Sequence, residues 1–521
     1  MDDAREARML DGLGNPAAYP WSPPSVRRID THVSRVFIAG ERVVKVKRAV
    51  DLGFVDHRTA ESRRQSCLDE VRLNRRLTDG VYLGLEPVTE SPGGARIGGD
   101  GPVLEWAVVM RRLPAEGMLD ALLASGSAPG DLAERLAARL IPFHQRAEPC
   151  GDDPAACAET QAAVLLDNIA ALSDLPPGQR DPGVLEPVAA AMRAYLAESM
   201  GVLQGRCADG WVREGHGDLR CEHVCLEPGT PPQIYDCVEF SYELRCADVA
   251  SDLAYLLMDL DRLGAAGVSA DLLDRYRAAG FDLPDPLVRL YRAHRALVRA
   301  KVSGIEEAQG TGDPVALGAV AAEYIDLAAG DVLRAGPMLV AMTGLSGTGK
   351  STVAKRLARV LRQPRFRSDE VRRALDAEAG ERYDAAMTGR TYDRLHTLGR
   401  DALRTGGAIL DATYLDTAAR EAAAAAARES GVPFVLVETT CSEGDALARI
   451  AARAAAGMDP SEATVDVYRL QRAAIAAAPP GLPAGTIHVR IDTSGVHPAP
   501  LGPLLSPLDT AGLIGSALSG G

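Results

Sequence analysis

One short stretch constrains the fold of this chain more than any other. An apolar run at residues 338–342 enters a glycine-rich turn, Gly344-Leu-Ser-Gly-Thr-Gly-Lys-Ser351, and a helix-favouring segment follows. Glycines allow backbone N–H groups to close around phosphate oxygens, and the N-terminus of the following helix adds partial positive charge. A strand, this loop and a helix in that order predict a nucleoside triphosphate site.

The residues of the loop have separate expected roles. Lys350 can reach the β- and γ-phosphates, and the Ser351 hydroxyl can bind Mg²⁺, so we expect ATP and Mg²⁺ as cofactors. The remaining contacts come from the loop backbone. Within this loop, the predicted cofactor-binding residues are Gly344, Ser346, Gly347, Thr348, Gly349, Lys350, Ser351 and Thr352; Lys45 and Glu70 are predicted to bind the cofactor in the first half of the chain.

Length and composition bound the rest of the chain. At 521 residues it is too long for one compact core, and its net charge of −14 argues against broad binding to nucleic acid. The charged N-terminus does not resemble a secretion signal, and no apolar run approaches the ~18 residues of a membrane span. The nine cysteines are irregularly spaced and are interpreted as reduced thiols. We therefore expect a cytoplasmic protein without nucleic-acid or membrane partners.

The first part of the chain has the element order of a kinase N-lobe. Residues 31–47 predict a β-hairpin whose second strand carries Lys45 and Lys47 on one face. A helical segment with Glu70 and further strands follow. Lys45 is favoured over Lys47 as the phosphate-anchoring lysine because two valines precede it. Glu70 and Glu61 are the two candidates for the carboxylate that pairs with this lysine. The alternative is that these lysines and glutamates are ordinary charges on the protein surface.

A second chemical stretch lies beyond a mostly helical region. His216-Gly217-Asp218 is followed by His223 and, at the end of a short strand, by Asp236. These residues resemble the motif of aminoglycoside phosphotransferase-like kinases. The resemblance implies that Asp218 orients or deprotonates the acceptor hydroxyl, and that Asp236 and the residue at position 223 hold Mg²⁺.

His223 departs from this motif, since that position is normally Asn. An imidazole can bind a divalent metal but is softer than a carboxamide. Two interpretations follow, an active site with altered metal geometry or a remnant that only binds. Nearby cysteines and histidines also raise the alternative of zinc, although their spacing fits no standard zinc module.

The second half of the chain alternates strands and helices, which predicts a parallel sheet. Asp369 and Arg372 resemble the Asp-x-x-Arg element of small-molecule P-loop kinases such as gluconate, shikimate and adenylylsulfate kinases. The resemblance implies that Asp369 lies beside the acceptor hydroxyl and that Arg372 binds the acceptor. Asp411 ends an apolar strand and is expected to support the metal. Arg449 and Arg453 share a helix face, and the resemblance implies that they close over the transferring phosphate.

Each of these positions also has a purely structural interpretation. Asp369 and Asp411 also suit helix caps or turns at strand ends, and Arg449 with Arg453 also suits a solvated basic face. With the functional interpretation, the predicted catalytic residues are Asp218, Asp369, Lys350, Arg449 and Arg453.

Both halves together resemble a family described as bifunctional aminoglycoside phosphotransferase and P-loop (AAA-type) ATP-binding proteins. The implied fold combines α+β and α/β domains. The first is a bilobal kinase-like domain at 1–330, with an N-lobe at about 25–113 and a helical C-lobe at about 114–330. The second is a P-loop kinase domain at 336–495, and residues 496–521 are expected to be a loose tail.

Three functional hypotheses follow. The first is a kinase with two ATP sites that phosphorylates hydroxyls of small polar metabolites such as sugars, amino sugars or nucleosides. The second keeps one active P-loop kinase, regulated by a pseudokinase-like N-terminal domain that senses a ligand. The third is a polynucleotide 5′-kinase, which the acidic composition disfavours.

Overall fold

The computed structural model describes residues 3–51, 55–175, 180–376, 385–456, 464–495 and 499–518. The chain divides into two compact units, which are Met1–Ala162 with Met200–Pro284 (unit 1) and Ala163–Ser199 with Asp285–Gly521 (unit 2). No helix in the described ranges is long and apolar enough to cross a bilayer.

Unit 1 begins with an antiparallel sheet and two helices. Their bounds are α1 (Asp3–Leu13), β1 (Val26–Asp30), β2 (Ser34–Ala39), β3 (Arg42–Lys47), α2 (Ala60–Asn74), β4 (Tyr82–Ser91), β5 (Gly94–Ile97) and β6 (Val103–Arg111). The described strands pair in the order β1-β2-β3-β6-β4-β5, and β2 with β3 forms the predicted hairpin. Along β3, Val44 and Val46 are fully buried in the core, so Lys45 and Lys47 project from the opposite face.

The rest of unit 1 is mainly helical, and short strands frame the His216-Gly217-Asp218 stretch. The elements are α3 (Leu119–Ala124), α4 (Leu132–Arg146), α5 (Pro154–Ala171), α6 (Pro182–Ala208), β7 (Val212–Glu214), β8 (Val224–Cys225), β9 (Gln233–Ile234), α7 (Tyr242–Arg245), β10 (Cys246–Asp248), α8 (Val249–Arg262) and α9 (Ala266–Ala278). Strand β7 pairs with β10, and β8 pairs with β9. The candidate catalytic loop therefore runs from β7 to β8. Parts of α5 and α6 belong to unit 2.

Unit 2 contains a parallel sheet with helical connections. Its elements are α10 (Asp285–Ala308), α11 (Pro314–Val332), β11 (Leu333–Ala335), β12 (Leu339–Thr343), α12 (Lys350–Val360), β13 (Arg365–Arg367), α13 (Ser368–Asp376), α14 (Ala385–Leu403), β14 (Ala408–Asp411), α15 (Thr417–Glu429), β15 (Phe434–Thr440), α16 (Glu443–Ala456), α17 (Val465–Ala477), β16 (Ile487–Asp492), α18 (Gly502–Thr510) and β17 (Ile514–Ser516). The sheet order is β13-β14-β12-β15-β16. Its adjacent strands are parallel, as the alternation of elements predicted. The central strand β12 is buried along its whole length, which explains its continuous apolar sequence.

A loose tail was expected at residues 496–521. This expectation is wrong for residues 499–518, the part of that range that the structure describes. Helix α18 packs through leucines, and β17 pairs with β11 in antiparallel fashion. Leu501, Leu504 and Leu508 are fully buried, and Leu505 is 4% exposed. These leucines recur at helical spacing, a pattern obscured by the prolines among them.

The expected domain boundary near residue 330 does not coincide with the division into compact units. Helices α10 and α11 belong to unit 2, where α11 packs on α12. At that contact Arg356 of α12 donates two hydrogen bonds of 2.8 Å to the carboxylate of Asp326. Arg356 also reaches Asp181, at 3.3 Å, and the carbonyl oxygen of Ala499. The P-loop helix is thus held, at its middle, by segments that lie before and after the predicted domain in the sequence.

Four of the nine cysteines differ from the expected reduced state. Cys150 is bonded to Cys246, and Cys157 to Cys207, across sequence separations of 96 and 50 residues. The fold creates these pairs by bringing remote segments together, so the spacing of cysteines in the sequence gave no sign of them. The remaining five, Cys67, Cys221, Cys225, Cys237 and Cys441, are free thiols.

Candidate functional site

The first candidate site lies in unit 1, where β3 and α2 bring two lysines to one carboxylate. Lys45 Nζ lies 2.7 Å from Glu70 Oε1 and 2.8 Å from Asp236 Oδ1. Lys47 Nζ lies 2.6 Å from Glu70 Oε2 and also contacts Glu239. The Lys47 side chain is 1% exposed and that of Lys45 is 15% exposed. Lys45 is therefore the lysine that faces the candidate metal residue Asp236.

The alternative partner, Glu61, lies elsewhere. Its side chain is 76% exposed and pairs with Arg64 on the surface of α2. Glu70 is fully buried, which explains why it needs two cations.

Electrostatics keep Lys45 and Asp236 ionised. Burial disfavours the charged form of Lys45, but Asp236 and Glu70 outweigh burial and hold its pKa well above the ordinary value. Burial likewise opposes ionisation of Asp236, yet Lys45 and His223 hold its pKa below the ordinary value. Asp236 also has a φ of +65°, a left-handed conformation that is uncommon among non-glycine residues as a whole but that Asp adopts more readily than most.

The loop that carries Asp218 is anchored by a residue that was not among the predicted site residues. Asp252 of α8 accepts hydrogen bonds from the backbone N–H of His216, at 2.8 Å, and of Gly217, at 2.9 Å. Its Oδ2 also contacts His144 Nε2 at 3.0 Å. Burial would raise the pKa of Asp252, but the bond to His144 and the backbone donors lower it below the ordinary value. The carboxylate is therefore a fixed charge beneath the loop.

Asp218 itself forms a bidentate ion pair. Arg220 Nε and Nη2 donate to its two carboxylate oxygens at 3.0 and 3.1 Å. His223 Nδ1 donates to the backbone carbonyl of Asp218 at 2.8 Å, which leaves Nε2 to face Asp236 Oδ2 at 3.7 Å. His223 Nε2 and Asp236 could therefore share one cation, although Arg220 Nη2 also lies 3.3 Å from that nitrogen. Within the described ranges, no group of three or more His, Cys, Asp or Glu residues is placed to hold a metal.

The second candidate site is the glycine-rich loop of unit 2. Gly344, Gly347 and Gly349 have φ values of +140°, +80° and +82°, which favour glycine. A Cβ at Gly344 would lie 2.5 Å from the carbonyl oxygen of Thr439, and one at Gly347 would lie 2.5 Å from that of Ala446. The loop therefore needs glycine both for its turn and for its close packing.

Ser351 and Asp411 meet beside Lys350, as a metal–triphosphate site requires. Ser351 Oγ donates to Asp411 Oδ1 at 3.2 Å, and Lys350 Nζ donates to the Leu345 carbonyl at 2.7 Å. Asp411 is 4% exposed, and its Oδ2 accepts no hydrogen bond from the described residues. A buried carboxylate oxygen without a donor, next to a serine hydroxyl, fits an oxygen-seeking cation such as Mg²⁺.

The pKa of Lys350 shows which charged groups lie near its side chain. Burial lowers its pKa to about 8, and the charge of Arg453 acts in the same direction. Asp411 and Asp369 oppose this shift. Burial also raises the pKa of Asp411 above its ordinary value. The predicted residues Asp369, Asp411 and Arg453 are thus all close enough to Lys350 to affect its charge.

Arg449 is tied to the glycine-rich loop through Thr493. Its Nη1 donates to Thr493 Oγ1 at 2.9 Å and its Nη2 to the Thr493 carbonyl at 2.6 Å. Thr493 Oγ1 in turn donates to the carbonyl of Thr348 at 3.0 Å. Thr348 also shares a hydroxyl hydrogen bond of 2.8 Å with Thr439. Arg449, which was predicted to close over the transferring phosphate, is thus linked by hydrogen bonds through Thr493 to the glycine-rich loop.

Other predicted residues lie at the rim of the site. Ser346 N donates to Gln471 Oε1 of α17 at 2.9 Å, a contact that the sequence did not indicate. Thr352 is exposed on α12. Asp369 and Arg372 are neighbours at the start of α13, with 3.5 Å between Oδ1 and Nη1.

Two arginines missing from the prediction lie next to Asp411. Arg365 Nη1 is 3.7 Å and Arg367 Nε is 3.6 Å from Asp411 Oδ2. Arg365 also donates to the Ser351 carbonyl at 3.1 Å. The alternation of Arg365 and Arg367 on β13 was the available signal, since it puts both on one face.

Comparisons with solved structures give distant likenesses. An aminoglycoside 2′-phosphotransferase-IIIa in its GDP complex is 15% identical, with a TM-score of 0.34, covering 58% of this chain and 93% of that chain. A gluconokinase from Sinorhizobium meliloti 1021 is 17% identical, with a TM-score of 0.24, covering 34% of this chain and 94% of that chain.

Sequence comparisons are closer. Residues 339–478 match a family model described as an AAA domain. The "Uncharacterized protein Rv2004c" of Mycobacterium tuberculosis H37Rv is 31% identical over 486 residues, covering 89% of this chain and 92% of the relative. The "Uncharacterized protein Mb2027c" of Mycobacterium bovis matches to the same extent. The chain therefore belongs to the family of these mycobacterial proteins, and its residues 339–478 form the AAA-domain match within it.

Proposed function

We propose that the protein is an ATP-dependent phosphotransferase that phosphorylates hydroxyl groups of small polar metabolites, such as sugars, amino sugars or nucleoside-like molecules. The observation that carries this proposal is the hydrogen bond from Ser351 to the buried Asp411, beside Lys350. These are a hydroxyl and a carboxylate suited to a metal, and a lysine suited to phosphate, at the N-terminus of α12.

In the C-terminal site, bound ATP with Mg²⁺ supplies the phosphoryl group. Lys350 and the loop backbone would hold the phosphates, and Ser351 and Asp411 would hold the metal. Asp369 orients the acceptor hydroxyl and takes its proton as the new O–P bond forms and the bond to ADP breaks. Arg449 and Arg453 balance the charge on the transferring group.

The N-terminal site supports a second phosphotransfer reaction in the same proposal. Lys45 anchors the phosphates, and Asp218 orients a second acceptor hydroxyl. His223 and Asp236 provide an imidazole nitrogen and a carboxylate oxygen for a metal. A cytoplasmic location, where ATP is abundant, and the absence of a nucleic-acid partner belong to this proposal.

The contacts of Asp218 favour an alternative in which only the C-terminal site is catalytic. Both carboxylate oxygens of Asp218 are engaged by Arg220, and His223 replaces the usual Asn. A carboxylate held in a bidentate ion pair is a weaker proton acceptor. In this alternative, the N-terminal region is a ligand-sensing pseudokinase that regulates a single active P-loop kinase.

The test is ADP release over a panel of metabolites for wild type, Asp218→Ala and Lys350→Ala. Asp209→Ala and Lys355→Ala, which change exposed residues near the same segments, are the matched controls. Loss of a different acceptor's turnover in each variant supports two active sites. Loss of all turnover in Lys350→Ala alone supports the pseudokinase alternative. Wild type that binds ATP but turns over no acceptor contradicts the proposed activity.

A further inference from the structure

One peptide group of the glycine-rich loop is hydrogen-bonded at both its C=O and its N–H. The carbonyl, that of Leu345, accepts a hydrogen bond of 2.7 Å from Lys350 Nζ. The N–H, that of Ser346, donates at 2.9 Å to Oε1 of Gln471 on α17. The C=O and N–H of a trans peptide point in opposite directions, so Lys350 and Gln471 lie on opposite sides of this peptide.

The bond to Gln471 fixes the orientation of that peptide. A backbone N–H can only donate, so the accepting atom of Gln471 is its carboxamide oxygen and not its nitrogen. Ser346 is 7% exposed, so without this acceptor its N–H would be largely cut off from water and unpaired. Rotating the peptide would break its bonds to Gln471 and to Lys350 together. Gln471 therefore stabilises the orientation in which the carbonyl of Leu345 faces the ammonium group.

Packing of α17 keeps Gln471 at the loop. Tyr468 lies three residues before Gln471, on the same face of the helix, and is 4% exposed. Tyr468 belongs to an apolar cluster with Ala446 and Ile450 of α16, and Leu345 of the loop packs against this cluster. The peptide and the helix that supplies its acceptor are thus joined by an apolar contact as well as by a hydrogen bond.

The ammonium group of Lys350 depends on nearby acceptors to remain charged. Burial lowers its pKa to about 8, because a buried ammonium is poorly solvated. A carbonyl oxygen that accepts from the ammonium stabilises the charged form, which is the form that attracts phosphate. A peptide carbonyl is a better acceptor when the N–H of the same peptide is itself hydrogen-bonded, because bonds in a chain polarise one another.

We propose that Gln471 is a positioning residue of the C-terminal site, which acts through the peptide between Leu345 and Ser346 to keep Lys350 charged and directed toward the phosphates of ATP. This inference rests on the proposed function of that site. It gives α17, which carries none of the predicted site residues, a part in nucleotide binding. Because Gln471 acts through Lys350, its effect should appear in the titration of that lysine.

The test is calorimetric titration of the full-length protein with Mg²⁺ and the non-hydrolysable analogue AMP-PNP, between about pH 6 and 10. The affinity of wild type should begin to fall near pH 8, where Lys350 loses its proton. Gln471→Leu keeps the approximate size of the side chain but removes the acceptor. Its affinity at neutral pH should be about 3- to 10-fold weaker, and the fall should begin about one pH unit lower.

Two further variants complete the comparison. Gln471→Glu keeps an acceptor for the N–H of Ser346, so its affinity should begin to fall at or above the wild-type pH, since an added negative charge favours the ammonium. Leu470→Ala is the matched control, because Leu470 is the neighbouring residue of α17 and is 71% exposed, and it should bind like wild type at every pH. The other groups that affect the charge of Lys350 are unchanged in all variants; they are Asp411, Asp369, Arg453 and Cys441.

The pH dependence separates positioning from a purely structural role. An unchanged onset of the fall in Gln471→Leu overturns the inference even if the affinity is lower, and so does an onset at lower pH in Gln471→Glu. Thermal unfolding verifies that each variant is folded. If Gln471→Leu is not, Gln471→Asn, whose amide is one methylene further from the loop, should show the onset at lower pH, and an unchanged onset overturns the inference. Failure of wild type to bind AMP-PNP contradicts the proposed function itself, and the inference with it.

Discussion

Glu70 and Lys45 form an ion pair of 2.7 Å in which the carboxylate is fully buried. The same carboxylate holds Lys47 at 2.6 Å, so one acidic side chain neutralises two lysines of β3. Removing one partner of a buried ion pair leaves the other charge without compensation. This lowers the free energy of unfolding more than replacing the whole pair by apolar side chains does.

Glu70→Gln is therefore expected to destabilise unit 1. Loss of the shared carboxylate should lower the free energy of unfolding by about 3–5 kcal/mol, measured by urea denaturation. Glu61→Gln is the control, because Glu61 lies on the same helix with its side chain 76% exposed, and should change stability by less than about 0.5 kcal/mol. Equal effects of the two substitutions would show that the pair with the lysines is not formed.

Asp411→Asn is expected to weaken the response to magnesium. The amide keeps the size of the side chain but loses the charge that faces the metal site, so half-saturation should require about 10- to 100-fold more Mg²⁺. ADP release measured against Mg²⁺ concentration checks this. Asp401→Asn, at an exposed position of α14, should follow the wild-type curve. A wild-type curve for Asp411→Asn would exclude a role at the metal.

The affinity of the P-loop for nucleotide should depend on pH through Lys350. Burial lowers its pKa to about 8, so above that pH the free protein loses the positive charge that attracts phosphate. Binding of Mg²⁺ and AMP-PNP should weaken by up to about tenfold per pH unit above pH 8. Lys350→Arg stays charged and should lack this step; the same pH dependence in that variant would assign the titration to another group.

The lowered pKa of Lys350 also makes the free energy of unfolding depend on pH. The unfolded chain keeps the proton up to the ordinary pKa of 10.5, so between about pH 8 and 10.5 it binds more protons than the folded state. The contribution of Lys350 to the free energy of unfolding therefore rises with pH across this window. Comparing unfolding of wild type and Lys350→Met without ligand isolates it.

The C-terminal segment should be essential to the stability of unit 2. Leu508 of α18 is fully buried, and Leu508→Ala should cost about 2–5 kcal/mol in thermal or chemical unfolding. Leu482 is 52% exposed, so Leu482→Ala should cost less than about 1 kcal/mol. If both variants unfold like wild type, the segment does not pack as described.

The cysteine pairs predict a simple labelling pattern. Alkylation in denaturant without reductant should modify the five free cysteines and spare the four in disulfides, and mass spectrometry identifies them. Addition of reductant before alkylation should give nine modified cysteines. Nine labels without reductant would restore the expectation of reduced thiols.

Sequence reasoning succeeded where the chemistry is local. The residues from Gly344 to Ser351 are contiguous, and their pattern of glycines, lysine and hydroxyl is enough to predict the loop. The parallel sheet around it was predicted from the alternation of strands and helices. Asp411 was predicted as a metal residue because it ends an apolar strand, and the structure places its carboxylate 3.2 Å from Ser351 Oγ. The fold class is confirmed in both halves by the sheets that the structure shows.

Features that depend on contacts between remote segments could not be found in this way. Arg220 is two residues from Asp218, but only the folded loop turns its guanidinium back onto that carboxylate. Asp252 and Arg367 gain their roles from elements distant in sequence. The helix at Leu501–Leu508 was missed for a different reason, since prolines there counted against an otherwise regular leucine spacing.

The bonds of Arg356 have a consequence for where a stable fragment of this protein can begin. A fragment that starts at residue 339, the first residue of the family match, keeps Arg356 but lacks Asp326 and Asp181, the two carboxylates that pair with its guanidinium. It also uncovers the face of α12 on which α11 packs. The limits of the family match are therefore not the limits of a folding unit, since the compact unit that contains the P-loop helix also includes residues 163–199 and 285–338.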